Sequence, residues 1–394
     1  MLTGAGGLIK ELPARVAPFA SALTLCVSAG WSGALLAPNL IGVFAGVETA
    51  WLAAVGLVAL SAVRDNAGLN GAFRMLAAGG AASALMLLGA GLWWRAAGGG
   101  TLAMMSLAQI DAPGLAIAGV SLVLAALALK AAIAPLHLWL PAAIGRTRAL
   151  APLVLGVVGV LGALMALTRV AAAALPAPDL GAAVAAGLGV LGVASVVIGS
   201  VQAIGSTNLI RLTAYAGVAQ GGCALLSVAL GSPAGFAAGL VQIAALGAAA
   251  LALLGGAAAS GGSSLSALDG LARRAPLASV AITAGALSLM GAPLTLGFLG
   301  RWRMIEASVG ADWWWAAAAA IAASLAGVFY GGRLIERVYF RRAAEAQEIN
   351  RDPWRFALTP ALAASIVAIG VGLAPAPLLN AATVAASMLS RGAP

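Results

Sequence analysis

Charge is what this sequence has least of. Charged residues fill 8% of its 394 positions and apolar residues 62%, with a mean hydropathy of +1.04. A soluble surface needs far more charge, so the composition excludes a soluble domain and describes a polytopic membrane protein. Histidine is limited to His137, and the two cysteines, Cys26 and Cys223, lie in separate apolar stretches. That leaves no ligand set for haem, an iron–sulfur cluster or structural zinc, and no redox centre or cofactor is expected in the chain itself. The net charge of +9 comes from basic residues scattered through short loops. Without a basic stripe or interleaved aromatics, it gives no footprint for nucleic acid. No cleavable signal is expected, because Lys10, Glu11 and Arg15 precede the first apolar run.

What the chain does have is apolar runs of the length that crosses a hydrocarbon core as helix. Eleven can be drawn, at 14–36, 39–61, 73–95, 114–134, 150–171, 180–202, 208–230, 233–256, 277–299, 312–336 and 357–378. The resulting fold class is all-α. Apart from Lys130, five of the 21 basic residues fall in one set of alternate loops (Arg95, Arg169, Arg301, Arg303 and Arg391) and the other fifteen in the opposite set. Basic loops face the cytoplasm, which puts the N-terminus inside and, after eleven spans, the C-terminus outside. Residues 101–112 are too short to span and suggest an interfacial helix or loop on the outer side, with Gln109 and Asp111 beside Leu102, Met105 and Leu107. The alanine and glycine richness suits close helix packing, and a GC-rich genome would produce the same bias.

Two blocks of five spans, 14–171 and 180–336, start on opposite sides of the membrane, which is the arithmetic of an inverted repeat. Both belong to one membrane domain, 1–378; 337–356 is a charged cytoplasmic connection, 357–378 the C-terminal span and 379–394 a tail. The fourth span of each block is interrupted. In the first, Pro135 follows Lys130 and removes the hydrogen bond normally made to the carbonyl of Ala131. In the second, Gly291 and Pro293 break the run ahead of Arg301. Corresponding interruptions of this kind point to a transport site.

A lysine near a bilayer centre costs roughly 2.5 to 3.5 kcal/mol, so Lys130 demands a partner, and Glu48 in the second span is the natural one. Burial and pairing push such a couple in opposite directions, so it can switch when a third charge approaches. A static ion pair holding two helices is the structural alternative. His137 at the break is either a proton relay towards the second block or a donor to the freed carbonyls. Arg301 is either an exit charge that gates electrostatically or a snorkelling interfacial arginine, with Glu306 near enough in sequence to pair with it. Thr213, Tyr215 and Gln220 are candidates for lining a water wire through the second block or for plain helix packing. Trp313, Trp314 and Trp315 suggest an interfacial anchor.

At these residues the chain resembles the antiporter-like subunits of respiratory complex I, a family shared with multi-subunit sodium/proton antiporters and membrane-bound hydrogenases. It is most similar to the N-type subunits of NADH:quinone oxidoreductase. Phe44-Ala-Gly-Val-Glu48 resembles the family's glutamate helix, Lys130 through Pro141 its broken lysine helix, Arg211-Leu-Thr-Ala-Tyr215 its basic-x-x-Ala-Tyr signature and Gly297-Phe-Leu-Gly300-Arg301 its Gly-Phe-x-Gly-Lys. The resemblance implies a proton-translocating subunit of a bacterial inner-membrane assembly. Flavin, iron–sulfur clusters and quinone would then belong to partner subunits, and other membrane-arm subunits and lipid would be its neighbours. Three departures accompany the match. The chain begins about where the family's fourth helix begins, the family's middle lysine falls on Val160, and its terminal lysine is Arg301. A non-conducting structural subunit of the membrane arm, or a subunit of a sodium/proton antiporter, are the alternatives.

Overall fold

The computed structural model describes residues 12, 14–61, 66–107, 110, 112–145, 147, 150–178, 180–260, 262–342 and 355–390. Gln109, Asp111, the residues before Leu12 and most of the charged connection after Arg342 lie outside the described residues.

Lipid offers no hydrogen-bond partners, so each apolar run closes its backbone bonds internally as helix. The first block holds α1 (Ala17–Leu36), α2 (Leu40–Ser61), α3 (Asn66–Ala97), the short α4 (Leu102–Leu107), α5 (Pro113–Lys130), α6 (Trp139–Ile144) and α7 (Leu150–Ala174). A π-helical turn over Val154–Gly159 interrupts α7 immediately before Val160. The second block follows with α8 (Gly181–Gly205), α9 (Leu209–Ala229), α10 (Pro233–Ser260), α11 (Leu271–Arg274), α12 (Pro276–Met290), α13 (Leu296–Gly310) and α14 (Trp314–Tyr339). The chain continues through α15 (Arg355–Leu373) and α16 (Ala376–Ser390). Proline sits in the first turn of α1, α5 and α12, where no intrahelical N–H is needed.

All eleven apolar runs are helical, but they are not eleven equal spans. Among the described residues, nine helices are long and apolar enough to cross a membrane, or ten if α15 and α16, bent by 87° at their junction, make one span. The run at 277–299 is divided: α12 is 15 residues long and stops at Gly291, which takes φ +72°. Residues 379–390 continue as helix in α16 after the bend.

Glycine acts in specific crossings rather than as general bias. A Cβ on Gly30 of α1 would lie 2.7 Å from the carbonyl of Gly46 in α2, and one on Gly46 would lie 2.6 Å from that of Gly30. Gly192 of α8 and Gly222 of α9 face each other in the same way. Such backbone contact is how helices gain packing in lipid, where no hydrophobic effect draws them together. The centre of the bundle is formed by α7, α9 and α10, which are the most deeply buried spans. The short α4 is anchored to the α1–α2 loop through the Leu102 N–H to Pro38 O bond, 2.9 Å, with Leu102 and Met105 buried. At another edge, Arg337 pairs with Asp269 at 3.0 Å and Arg333 donates to the carbonyl of Ser206, tying two loops to α14.

Candidate functional site

At the first break, α5 ends on Lys130 itself. The N–H groups of Ala131, Ala132 and Ile133 bond back to Leu127, Leu129 and Ala128, and Ala132 takes φ +55°. The helix therefore stops five residues before Pro135, which lies in the link between α5 and α6. A left-handed residue, not the proline ring, ends it, contrary to the sequence expectation. The consequence is electrostatic: Lys130 occupies the last turn of a half-helix, where the macrodipole favours a cation.

The Lys130 Nζ is wholly buried and lies 2.8 Å from Glu48 Oε1 on α2, whose side chain is 18% exposed. Ser83 of α3 is 2.7 Å from the same carboxylate oxygen. The Trp51 ring lies one turn along α2 from Glu48, its centroid 4.5 Å from Nζ, a cation–π distance. Trp51 meets Trp139 edge-on at 4.7 Å, and the Trp139 indole donates to the Leu129 carbonyl at 2.7 Å. Gly79 makes room for Trp51: a Cβ there would be 1.8 Å from the indole nitrogen.

His137 is buried in the link and turns to the second block. Its Nε2 is 2.6 Å from Gln202 Oε1 on α8, and its ring lies 6.2 Å from that of Tyr215 on α9. An amide oxygen only accepts, so in this arrangement Nε2 carries the proton, and Nδ1 is buried without a protein partner. The histidine thus bonds a side chain across the block boundary rather than a freed carbonyl. Ser195 of α8 serves a backbone donor of the link instead, accepting from the Ala134 N–H at 2.9 Å.

At the second break the chain passes Gly291, Pro293 and the left-handed Leu294 (φ +65°) before Thr295 caps α13 by accepting from the Phe298 N–H. Arg301 lies inside α13, 3% exposed, and donates back to the Leu289 carbonyl in the last turn of α12. Its side chain is buried in the bundle rather than laid along an exposed face. It does not meet Glu306, which pairs with Arg303 at 2.8 Å on the exposed face. Among the described residues no carboxylate lies in salt-bridge range of Arg301. Its neighbours are neutral. Gln220 of α9 donates to the same Leu289 carbonyl at 3.2 Å, and Gln242 of α10 donates to Gln220. The fully buried Tyr330 of α14 packs close to the same carbonyl, since a Cβ on Gly327 would lie 3.1 Å from Leu289 O and 3.5 Å from the Tyr330 hydroxyl.

The three water-wire candidates on α9 separate. Tyr215 belongs to the first break and Gln220 to the second, while Thr213 bonds the Leu209 carbonyl of its own helix at 2.8 Å. Beside the first break lies a cavity of ≈ 10 Å³ lined by Ala131, Ala132, Val160, Thr213, Gly217 and Leu246 among others. It is about the size of one water and almost entirely apolar. Sequence reasoning did not identify Trp51, Gly79, Ser83, Ser195, Gln202, Gln242 or Tyr330. The two glutamines carried the clearest signal, since buried amides in a span must find partners.

A family model described as NADH:quinone oxidoreductase/Mrp antiporter, transmembrane region, matches residues 37–327. The chain belongs to that family. It is 30% identical over 380 residues to NADH-quinone oxidoreductase subunit N of Cereibacter sphaeroides, spanning 96% of this chain and 82% of the relative. It is 29% identical to the subunit of the same name from Desulforudis audaxviator, spanning 91% of this chain and 74% of that one. Among solved structures, a chain of respiratory complex I from Thermus thermophilus superposes with a TM-score of 0.79 at 27% identity, covering 96% of this chain and 83% of that chain. A chain of the Mrp complex from Dietzia sp. shares the fold, with a TM-score of 0.80 at 24% identity.

Proposed function

We propose that this chain is a proton-translocating, antiporter-like subunit in the membrane arm of a complex I or complex I-like assembly, with flavin, iron–sulfur clusters and quinone on partner subunits. The observation that carries the reading is the wholly buried Lys130 held against Glu48 at the end of a broken helix. An ammonium and a carboxylate stabilise each other's charge, so moving either one, or bringing up a third charge, shifts both protonation equilibria. His137 receives or supplies the proton on the side facing the second block, and Arg301 acts at the second break as a permanent charge. The same reading takes the two five-helix blocks as an inverted repeat. It is supported by the matching glycine crossings α1·α2 and α8·α9 and by a break in the fourth helix of each block. On this reading the N-terminus faces the cytoplasm and the C-terminus the outside, as the distribution of basic residues over alternate loops suggests.

A second reading, a non-conducting spacer that completes the membrane arm, is favoured by one observation. The cavity beside the first break is apolar where Val160 stands, and no titratable side chain lines it. Two measurements separate these readings. Purification of the native assembly in mild detergent identifies the partners: flavin and iron–sulfur subunits place the chain in a redox-driven translocase, whereas antiporter-like chains alone move it to a cation/proton exchanger. Proton pumping in membrane vesicles then tests Lys130→Ala. Loss of pumping with the assembly intact supports translocation, and undiminished pumping leaves the spacer.

A further inference from the structure

The link that follows Lys130 is gripped from the second block, and the grip comes from one face of α8. Ser195, Gly199 and Gln202 stand at i, i+4 and i+7, a spacing that stacks them on one side of a helix. Ser195 is fully buried and accepts from the Ala134 N–H at 2.9 Å; two turns on, Gln202 holds the His137 imidazole at 2.6 Å. Between them Gly199 lets α9 close in, since a Cβ there would lie 2.6 Å from the Ala219 nitrogen and 2.8 Å from the Tyr215 carbonyl. On the same stretch of α9 the Tyr215 ring meets the imidazole edge-on, 6.2 Å away at an interplanar angle of 70°. His137 is therefore fixed by its backbone three residues upstream, by an aromatic neighbour and by one side-chain hydrogen bond. Of the three, only Gln202 addresses a ring nitrogen.

An imidazole that relays a proton has to offer a lone pair on a defined side, and which nitrogen offers it is set by the bond the other one makes. Resting on the relay role proposed above for His137, we infer that Gln202 is the positioning residue of that relay. Its Oε1, able only to accept, keeps the neutral ring protonated at Nε2 and leaves Nδ1 as the nitrogen open to exchange. Nδ1 suits that part, being buried with no hydrogen-bond partner among the described residues, so no bond has to be broken before it acts. Turning the Gln202 amide round would reverse the assignment, with the ring proton on Nδ1 and Nε2 tied up as an acceptor. Because the bond joins the first-block link to a second-block helix, the tautomer is held only while α8 is seated on the link.

The test uses the whole assembly in membrane vesicles, with electron transfer and proton uptake measured together for wild type, Gln202→Leu, Gln202→Glu, His137→Phe and Lys130→Ala. Gln202→Leu removes the acceptor. It should keep assembly and electron transfer while lowering protons moved per electron pair about fivefold, the factor carried by one ordinary hydrogen bond. Gln202→Glu keeps an acceptor oxygen at the same reach and should recover most of that loss, which a packing role alone would not give. Nitrogen-15 NMR of the histidine-labelled assembly reads the ring, with the His137→Phe spectrum subtracted to leave the chain's one histidine. Wild type should show a protonated Nε2 and a bare Nδ1, and Gln202→Leu a mixture of tautomers. Unchanged stoichiometry in Gln202→Leu, with His137→Phe impaired, overturns the role of Gln202 and leaves the relay standing. Full pumping in His137→Phe, with Lys130→Ala inactive, overturns the relay and Gln202 with it; pumping that survives both overturns the translocating reading as well. Should Gln202→Leu not assemble, the wild-type spectrum decides: a proton on Nε2 supports the assignment and one on Nδ1 overturns it.

Discussion

The two breaks answer the same problem with different charge. In each, a half-helix ends inside the bundle and a cation meets its C-terminal carbonyl end: Lys130 from the helix's own last turn, Arg301 by reaching back from α13 to Leu289. Each also receives one polar side chain from the second helix of its block and another from the third. At the first break these are Glu48 and Ser83; at the second, Gln220 and Gln242. The difference is one carboxylate against one amide. It makes the first break a pair of titratable charges and the second a permanent charge among neutral groups. Only the first can change charge state through its cation.

Making the first break resemble the second should have the largest effect. Glu48→Gln leaves a wholly buried ammonium opposite an amide. Removing one partner of a buried pair costs about 3–5 kcal/mol, and the partial exposure of Glu48 puts this case at the lower end. A change of about 3 kcal/mol in the balance between protonation states corresponds to about a hundredfold, so pumping should fall at least tenfold while electron transfer by the assembly persists. Vesicle pumping normalised to quinone reduction measures it. Equal pumping in Glu48→Gln and wild type would mean that the difference between the breaks has no functional content.

The converse change, Gln220→Glu, supplies Arg301 with the carboxylate it lacks. A pair gained at a buried guanidinium offsets the cost of burying the new charge only with good geometry. The effect on stability should therefore be smaller than that of Glu48→Gln, within about 2 kcal/mol. A thermal melt of the purified assembly reads it, and strong destabilisation would show that the second break is built to stay neutral apart from Arg301.

Gly79→Ala probes a feature the second break does not share, the aromatic face beside its cation. The added methyl would overlap Trp51 and push the ring off Lys130, an overpacking cost of about 1–3 kcal/mol. Trp51→Phe in the Gly79→Ala background should recover part of the loss, because a smaller ring clears the methyl and still presents a face to Nζ. No recovery would mean that Trp51 acts on helix spacing alone.

How much of this was legible in the sequence follows from how many partners each residue had to choose among. Glu48 and Lys130 are 82 residues apart, yet charge inside the spans is so scarce that each nearly names the other. Arg301 misled for the opposite reason. Glu306 is five residues away and rotated to another face of α13, while Arg303 at three residues' distance shares its face and takes it. The break at Pro135 was visible and its cause was not, because Ala132 carries no mark of a left-handed residue. Gly291 does, and the second break sits where glycine put it. Trp51 was legible in principle as the residue one turn from Glu48 on the same face. Tyr330 and Gln242 depend on how α14 and α10 pack, which periodicity does not encode.

The smallest expected effect tests that contrast in backbone. The first break turns on an alanine at φ +55° and the second on a glycine at φ +72°. The left-handed region costs a non-glycine residue about 1–2 kcal/mol, and glycine gives back about 0.5–1 kcal/mol through the greater freedom of its unfolded chain. Ala132→Gly should therefore stabilise the assembly by about 1 kcal/mol or less and leave the Lys130–Glu48 distance unchanged. Gly291→Ala should do the reverse and more, because its methyl meets the Arg301 Nη1 as well as the backbone preference. If Ala132→Gly instead lowers pumping with stability raised, the strained alanine holds Lys130 in place, and the two breaks differ in how rigidly they fix their cations as well as in the charge that faces them.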